Sequence, residues 1–211
     1  MRRELLALGV VGFVAIAACN AIVGVTDVRL KKDSTQADDG GDDTGDDGGS
    51  EAGPPPPANI LEVALGGTHT CARKPEGSVK CWGDDTQGQT GTNGAGDGGA
   101  VLAATDTGVT DARHIASGKS HTCIIRNSGK VSCWGSDVSG QLGDGNTNAE
   151  SPVPVDVKGG ITDATAICAG GDFTCVLRQS GGAACWGDNL SGQLGTPGSN
   201  GSAVPVTVQN V

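Results

Sequence analysis

The stretch CWGDNLSGQLG at residues 185–195 occurs twice earlier in the chain, as CWGSDVSGQLG at 133–143 and CWGDDTQGQTG at 81–91. Cys81, Cys133 and Cys185 are 52 residues apart, as are Trp82, Trp134 and Trp186, and Gly88, Gly140 and Gly192. One interval held by three kinds of residue marks a structural unit repeated in tandem, which buries its apolar face only by stacking on its neighbours. Function is therefore to be sought in the array rather than in one loop.

Ten positions before each of these cysteines stands another, giving the pairs Cys71/Cys81, Cys123/Cys133 and Cys175/Cys185. The segments between them read ARKPEGSVK, IIRNSGKVS and VLRQSGGAA, each with a glycine one place past its midpoint: Gly77, Gly129 and Gly181. A three-residue hairpin loop, made of a type I turn closed by a left-handed residue, favours glycine at its third position. Counting outward with Arg126 opposite Lys130 sets Cys123 across from Cys133, and the same count pairs the other two sets. Directly opposed strand residues have Cα atoms about 4.5–5.5 Å apart, within the reach of a disulfide. Three cross-strand staples are expected. They suit a chain with 37 glycines and only 2% aromatic residues, whose core must be thin.

A metal-binding reading of these cysteines is weaker. His69 and His121 lie two residues before Cys71 and Cys123, but the third repeat has Phe173 there, and no Cys-x-x-Cys pair occurs. Neither a metal nor another cofactor is expected. Of the eight cysteines, six pair in this scheme. Cys19 has another role, set out next, and Cys168 is left as an unpaired thiol at a small-residue position shared with Ala64 and Ala116.

The N-terminus, MRRELLALGVVGFVAIAAC, joins two arginines to an apolar run and ends in small residues before Cys19. This is the layout of a secretory signal over residues 1–18, too short for a comfortable membrane span. Its end, Ile16-Ala17-Ala18-Cys19, resembles the lipobox of bacterial lipoproteins. That resemblance implies cleavage before Cys19 and its lipidation, with the protein lipid-anchored in a bacterial cell envelope, the outer membrane favoured, facing periplasm or outside. Residues 19–58 then form an acidic, Gly/Asp/Pro-rich linker, including DDGGDDTGDDGGSEAGPPPP at 38–57, with too little apolar surface to fold alone. It reads as a disordered tether. Its aspartates do not fall into a calcium loop, which needs alternating ligands and a glutamate at the twelfth place.

Residues 59–211 hold the three repeats. Each unit supplies a short apolar strand, a stapled hairpin, the Trp-Gly loop and a β-branched strand such as PVPVDV from Pro152. Four short strands per repeat is the habit of a β-propeller blade. The pattern G-x-x-H-T-C … G-x-V-x-C-W-G-x-x-x-x-G-Q-L-G resembles the regulator of chromosome condensation type of repeat, in the cysteine-stapled form of exported bacterial proteins. The first copy departs from it at Thr90 and in the glycine-rich tract 94–99. The resemblance implies an all-β fold of blades about a central axis, usually seven. Three blades make a partial propeller that is open, completed by other copies, or a fragment of a longer ring. The stretch Val204 to Val208 is expected as an orphan strand at one end, matched by a missing strand at the other, so that chains join as homo-oligomers.

The residues do not point to an enzyme. His114 is the one histidine outside the repeated position, with no nucleophile in a recognisable relation to it. Ser117-Gly118-Lys119-Ser120 lacks the earlier glycine of a phosphate loop, and the run from Asp144 has Ala149 and Val155 where a calcium loop needs glycine and glutamate. A net charge of −10 disfavours nucleic acid. The expected function is a tethered protein-binding module. The alternatives are a structural, self-associating envelope protein or a non-functional remnant of a longer propeller gene.

Overall fold

The computed structural model describes residues 59–94, 99–147 and 150–209, together with the backbone of a short strand at Ala21–Val23. The expected signal segment, Cys19 and most of the linker lie outside the described residues.

The described chain is built from strands: β1 (Ala21–Val23), β2 (Glu62–Leu65), β3 (His69–Arg73), β4 (Val79–Asp84), β5 (Ala100–Asp106), β6 (Ala112–Ser117), β7 (His121–Arg126), β8 (Val131–Ser136), β9 (Glu150–Asp156), β10 (Ala164–Ala169), β11 (Phe173–Arg178), β12 (Ala183–Gly187) and β13 (Ser202–Thr207). They form three antiparallel sheets in sequence order: β2 to β5, β6 to β9 and β10 to β13, with β1 added beside β2. Each sheet is one repeat and one blade. Two expectations are corrected here. Ala21–Val23, inside the segment read as a disordered tether, is a strand: this Ala-Ile-Val run suits a sheet, and β2 offers it a free edge. The last strand is no orphan either, because β13 pairs with β12 as the fourth strand of its own blade, and β5 fills the same place in the first.

Hairpin chemistry sets the register. Gly77, Gly129 and Gly181 have φ of 93°, 78° and 90°, the left-handed conformation that closes each three-residue loop. Arg126 N–H donates to the carbonyl of Lys130, as the count requires, and Cys123 then faces Cys133. The three disulfides Cys71–Cys81, Cys123–Cys133 and Cys175–Cys185 have Cα separations of 4.1, 4.0 and 4.1 Å. Each joins directly opposed residues of its blade's middle hairpin. Replacing both Cys123 and Cys133 by alanine is expected to cost about 2–3 kcal/mol, measured by urea unfolding of the oxidised chain.

The core lies between blades. One cluster joins Ala64, Cys71 and Val79 of the first blade to Ile115, Ile124 and Trp134 of the second; the other joins Cys123, Val131 and Leu142 of the second to Ile167, Val176 and Trp186 of the third. A blade is too thin to bury this surface itself, so the seams carry the packing that holds the array. Because strands alternate in direction, the loops after β2 and β4 and their equivalents share one end of the array. The stapled hairpins and the links between blades share the other.

Candidate interaction surfaces at the seams and loop ends

The seam between the first two blades is a small polar network set in apolar packing. Thr122 Oγ1 donates to the carbonyl of Gln89 at 3.1 Å, and Trp134 Nε1–H donates to the same oxygen at 3.0 Å. His69 Nε2 lies 2.7 Å from the Thr122 hydroxyl. The second seam repeats it: Thr174 and Trp186 both donate to the Gln141 carbonyl, at 3.3 and 2.9 Å, and His121 Nε2 lies 2.9 Å from Thr174 Oγ1. Since each threonine proton goes to a carbonyl, each histidine must donate through Nε2–H, leaving Nδ1 unprotonated. That Nδ1 is buried with no hydrogen-bond partner in both cases.

Burial therefore holds both imidazoles neutral. The His69 pKa falls to about 4, against the opposing pull of Asp84 and Asp85, and that of His121 falls to about 3, with His69 as a second lowering influence. Each ring also lies over a glycine. A Cβ at Gly66 or Gly118 would stand 2.2 Å from the ring carbon of His69 or His121, and Phe173 occupies Gly170 in the same way. The G-x-x-His pattern is thus a packing unit, and phenylalanine fills it equally well in the third blade.

Trp134 and Trp186 are fully buried, whereas Trp82, with no blade before it among the described residues, is half-buried. The GQLG loop is shaped to meet the next blade's indole. A Cβ at Gly91 or Gly143 would come within 2.6 or 2.7 Å of the indole nitrogen of Trp134 or Trp186. Within the loop, Asp85, Asp137 and Asn189 each accept from a backbone N–H five residues on, at 2.9, 3.0 and 2.9 Å. Sequence reasoning passed over these three, although an Asp or Asn four places after each CWG cysteine was there to find.

These anchors hold the loop tips out at one end of the array. Val138 is 63% and Leu190 79% exposed, at the same place in their loops, where the first blade has the exposed Thr86. The same end has a hollow of about 310 Å³ lined by Leu65, Gly67, Lys119 and Gly171. Ser117-Gly118-Lys119-Ser120 belongs to it as seam backbone: Lys119 N–H donates to the Gly171 carbonyl at 2.9 Å. The run from Asp144 is local turn chemistry, with Asn146 N–H on Asp144 Oδ1 at 2.8 Å.

At the other end, His114 Nδ1 stands 3.8 Å from Glu62 Oε1, while Arg73 Nε holds Glu62 Oε2 at 3.0 Å. In the second and third blades Arg126 and Arg178 anchor to Asp111 and Asp163, at 2.6 and 2.8 Å. The first repeat has Lys74 and Asn59 at those two places, so its Arg73–Glu62 pair is separate from that anchor.

Cys168 departs from expectation. It is half-buried and disulfide-bonded, not a buried spare thiol. Among the described residues no cysteine is free.

Comparison with known proteins agrees with this geometry. Models of the regulator of chromosome condensation (RCC1) repeat match residues 60–89, 112–141 and 164–193, and again 128–177. The ultraviolet-B receptor UVR8 of Arabidopsis thaliana is 32% identical over 73% of this chain and 35% of its own length. The human E3 ubiquitin-protein ligase HERC2 is 32% identical over 72% of this chain but only 3% of its own. Among solved structures, Prp20p of Saccharomyces cerevisiae aligns with a TM-score of 0.64 at 21% identity, covering 72% of this chain and 39% of that one. Human WBSCR16 aligns with a TM-score of 0.63 at 24% identity, covering 72% and 38%. The chain spans little more than a third of UVR8, Prp20p and WBSCR16. With its three blades, their seams and the matched repeats taken together, the chain belongs to the regulator of chromosome condensation (RCC1) repeat family.

Proposed function

We propose that this chain is a protein-binding module of the cell envelope, tethered through Cys19 and contacting its partner with the loop tips at one end of the blades. The observation that carries the reading is the pair of exposed aliphatic tips, Val138 and Leu190, held on loops that Asp137 and Asn189 fix to the blades. Apolar side chains on a preorganised frame lose little entropy on binding. A protein is favoured over a sugar because exposed aromatic platforms are scarce, and over nucleic acid because of the net charge. Catalysis is not part of the proposal. The study of Prp20p concerns its binding to Gsp1p and histones, and a protein partner of some kind is the feature carried over.

The export reading is supported by the charged, apolar and small-residue order before Cys19 and by three disulfides, which persist in oxidising compartments. Mass spectrometry of the mature chain tests it: acylated Cys19 at the N-terminus is expected, and an unmodified sulfur there overturns the anchor. For the binding surface, envelope proteins that cross-link to the native chain are expected to be lost with the V138D/L190D double variant. That variant should keep the native melting temperature, since both side chains are exposed. Retention of the same partners by the variant refutes the loop-tip site.

A further inference from the structure

The two outermost blade faces are the two halves of the seam that the chain makes twice internally. In each seam, one blade contributes a GQLG-type loop and the next contributes a threonine, a tryptophan and a residue at the start of its fourth strand. Pro152 and Ala203 are those strand residues. A Cβ at Gly88 would lie 2.6 Å from the Pro152 Cα, and one at Gly140 2.7 Å from the Ala203 Cα. Strand pairing identifies the equivalent in the first blade. Gly135 pairs with Ser151, Gly187 with Ser202 and Gly83 with Val101, so Leu102 matches Pro152 and Ala203.

Leu102 is 93% exposed, and beside it Thr70 and Trp82 are half-buried, although Thr122, Thr174, Trp134 and Trp186 are all fully buried. The third blade's outer face shows the other half. Gly192 and Gly195 are exposed and Gln193 is half-buried, whereas Gln89 and Gln141 are fully buried. Gly192 keeps the left-handed conformation of Gly88 and Gly140, with nothing within 4 Å of where its Cβ would stand. One face thus offers two donors and a leucine; the other offers a carbonyl and a glycine hollow.

We infer that two copies of this chain join first blade to third blade, each seam repeating the internal ones, to close a ring of six blades. Trp82 Nε1–H and the Thr70 hydroxyl of one copy meet the Gln193 carbonyl of the other, and Leu102 covers Gly192. Phe173 takes the place of His69 and His121, so these new seams lack the histidine–threonine hydrogen bond. Each seam joins unlike faces, and a two-fold axis relates the two seams of the closed pair. Six blades fall within the range of about four to eight in which propellers close. This association is independent of the loop-tip surface proposed above.

The test is the mass in detergent solution of the full chain, with its disulfides formed, at two widely separated concentrations. A discrete two-copy mass at the higher concentration is expected. Leu102→Asp and Gly192→Asn should each weaken it by about tenfold to a hundredfold. Leu102 is exposed and asparagine tolerates the left-handed conformation, so both variants should keep the native melting temperature measured where the chain is a single copy. Intrinsic fluorescence adds a second readout, because Trp82 is the one indole not already buried and should shift to the blue on association. A single-copy mass at every concentration overturns the inference. So does a two-copy mass that neither variant changes, or a spread of larger masses.

Discussion

Replacing Trp134 by alanine is expected to destabilise the array by about 3–5 kcal/mol, near the top of the range for a single core substitution. The indole is fully buried between the first and second blades, among Val79, Ile115 and Ile124. Its N–H shares the Gln89 carbonyl with Thr122, and the backbone of Gly91 sits too close for any side chain. Its removal leaves a cavity that neighbouring side chains cannot fill without moving one blade on another. Trp82 has the same place in its repeat but is not fully buried, so Trp82→Ala should cost less. Urea unfolding in the Leu102→Asp background compares the two free of association between copies. Equal losses would show that the seam is not what these tryptophans stabilise.

Much of this arrangement was legible because the unit recurs. The hairpin loops follow from Gly77, Gly129 and Gly181, and the staples from counting outward from those turns. Equivalence of Trp82, Trp134 and Trp186 was visible at once. What they touch was not, since a spacing says which residues are alike and not which surface they face. Thr122 and Gln89 recur at the same interval without advertising that one hydroxyl and one carbonyl join a histidine to an indole across two blades. The constant interval also misled. Cys81, Cys133 and Cys185 pair with Thr105, Val155 and Val206, so the fourth strand begins later in the first repeat, and a shorter link afterwards restores the period. Counting by 52 from Pro152 lands on Ala100, not Leu102, and hides the exposed leucine. The bond at Cys168 was beyond cysteine arithmetic, which counts thiols but cannot assign their partners.

The seams also make the fold acid-sensitive in a definite window. His69 and His121 titrate near 6.5 in the unfolded chain and at about 4 and about 3 when folded. A lowered folded-state pKa means that the unfolded chain takes up protons first, so stability is full above pH 6.5 and is lost progressively as the pH falls toward the folded values. The cause is steric as well as electrostatic. A second proton on either ring must go on Nδ1, which is buried without a partner, while Nε2–H is already committed to threonine. For His69 alone, the interval from 6.5 to about 4 corresponds to about 3 kcal/mol. Phe173 supplies the control from within the chain, since phenylalanine already fills this pocket in the third blade. The His69→Phe/His121→Phe double variant gives up two hydrogen bonds and should be less stable than the native chain at pH 7.5. Its unfolding free energy should nonetheless be much flatter between pH 6.5 and pH 4. Urea unfolding across that range decides the matter: a variant that loses stability as steeply as the native chain would show that the histidines of the seams are not the source of the acid sensitivity. Asp84 does not compete in that range, since burial raises its pKa but hydrogen bonds from Thr86, Thr68 and Gln89 outweigh that and hold it below the usual value. Its stabilisation would fade only below the ordinary carboxylate range, at the acid end of the histidine window.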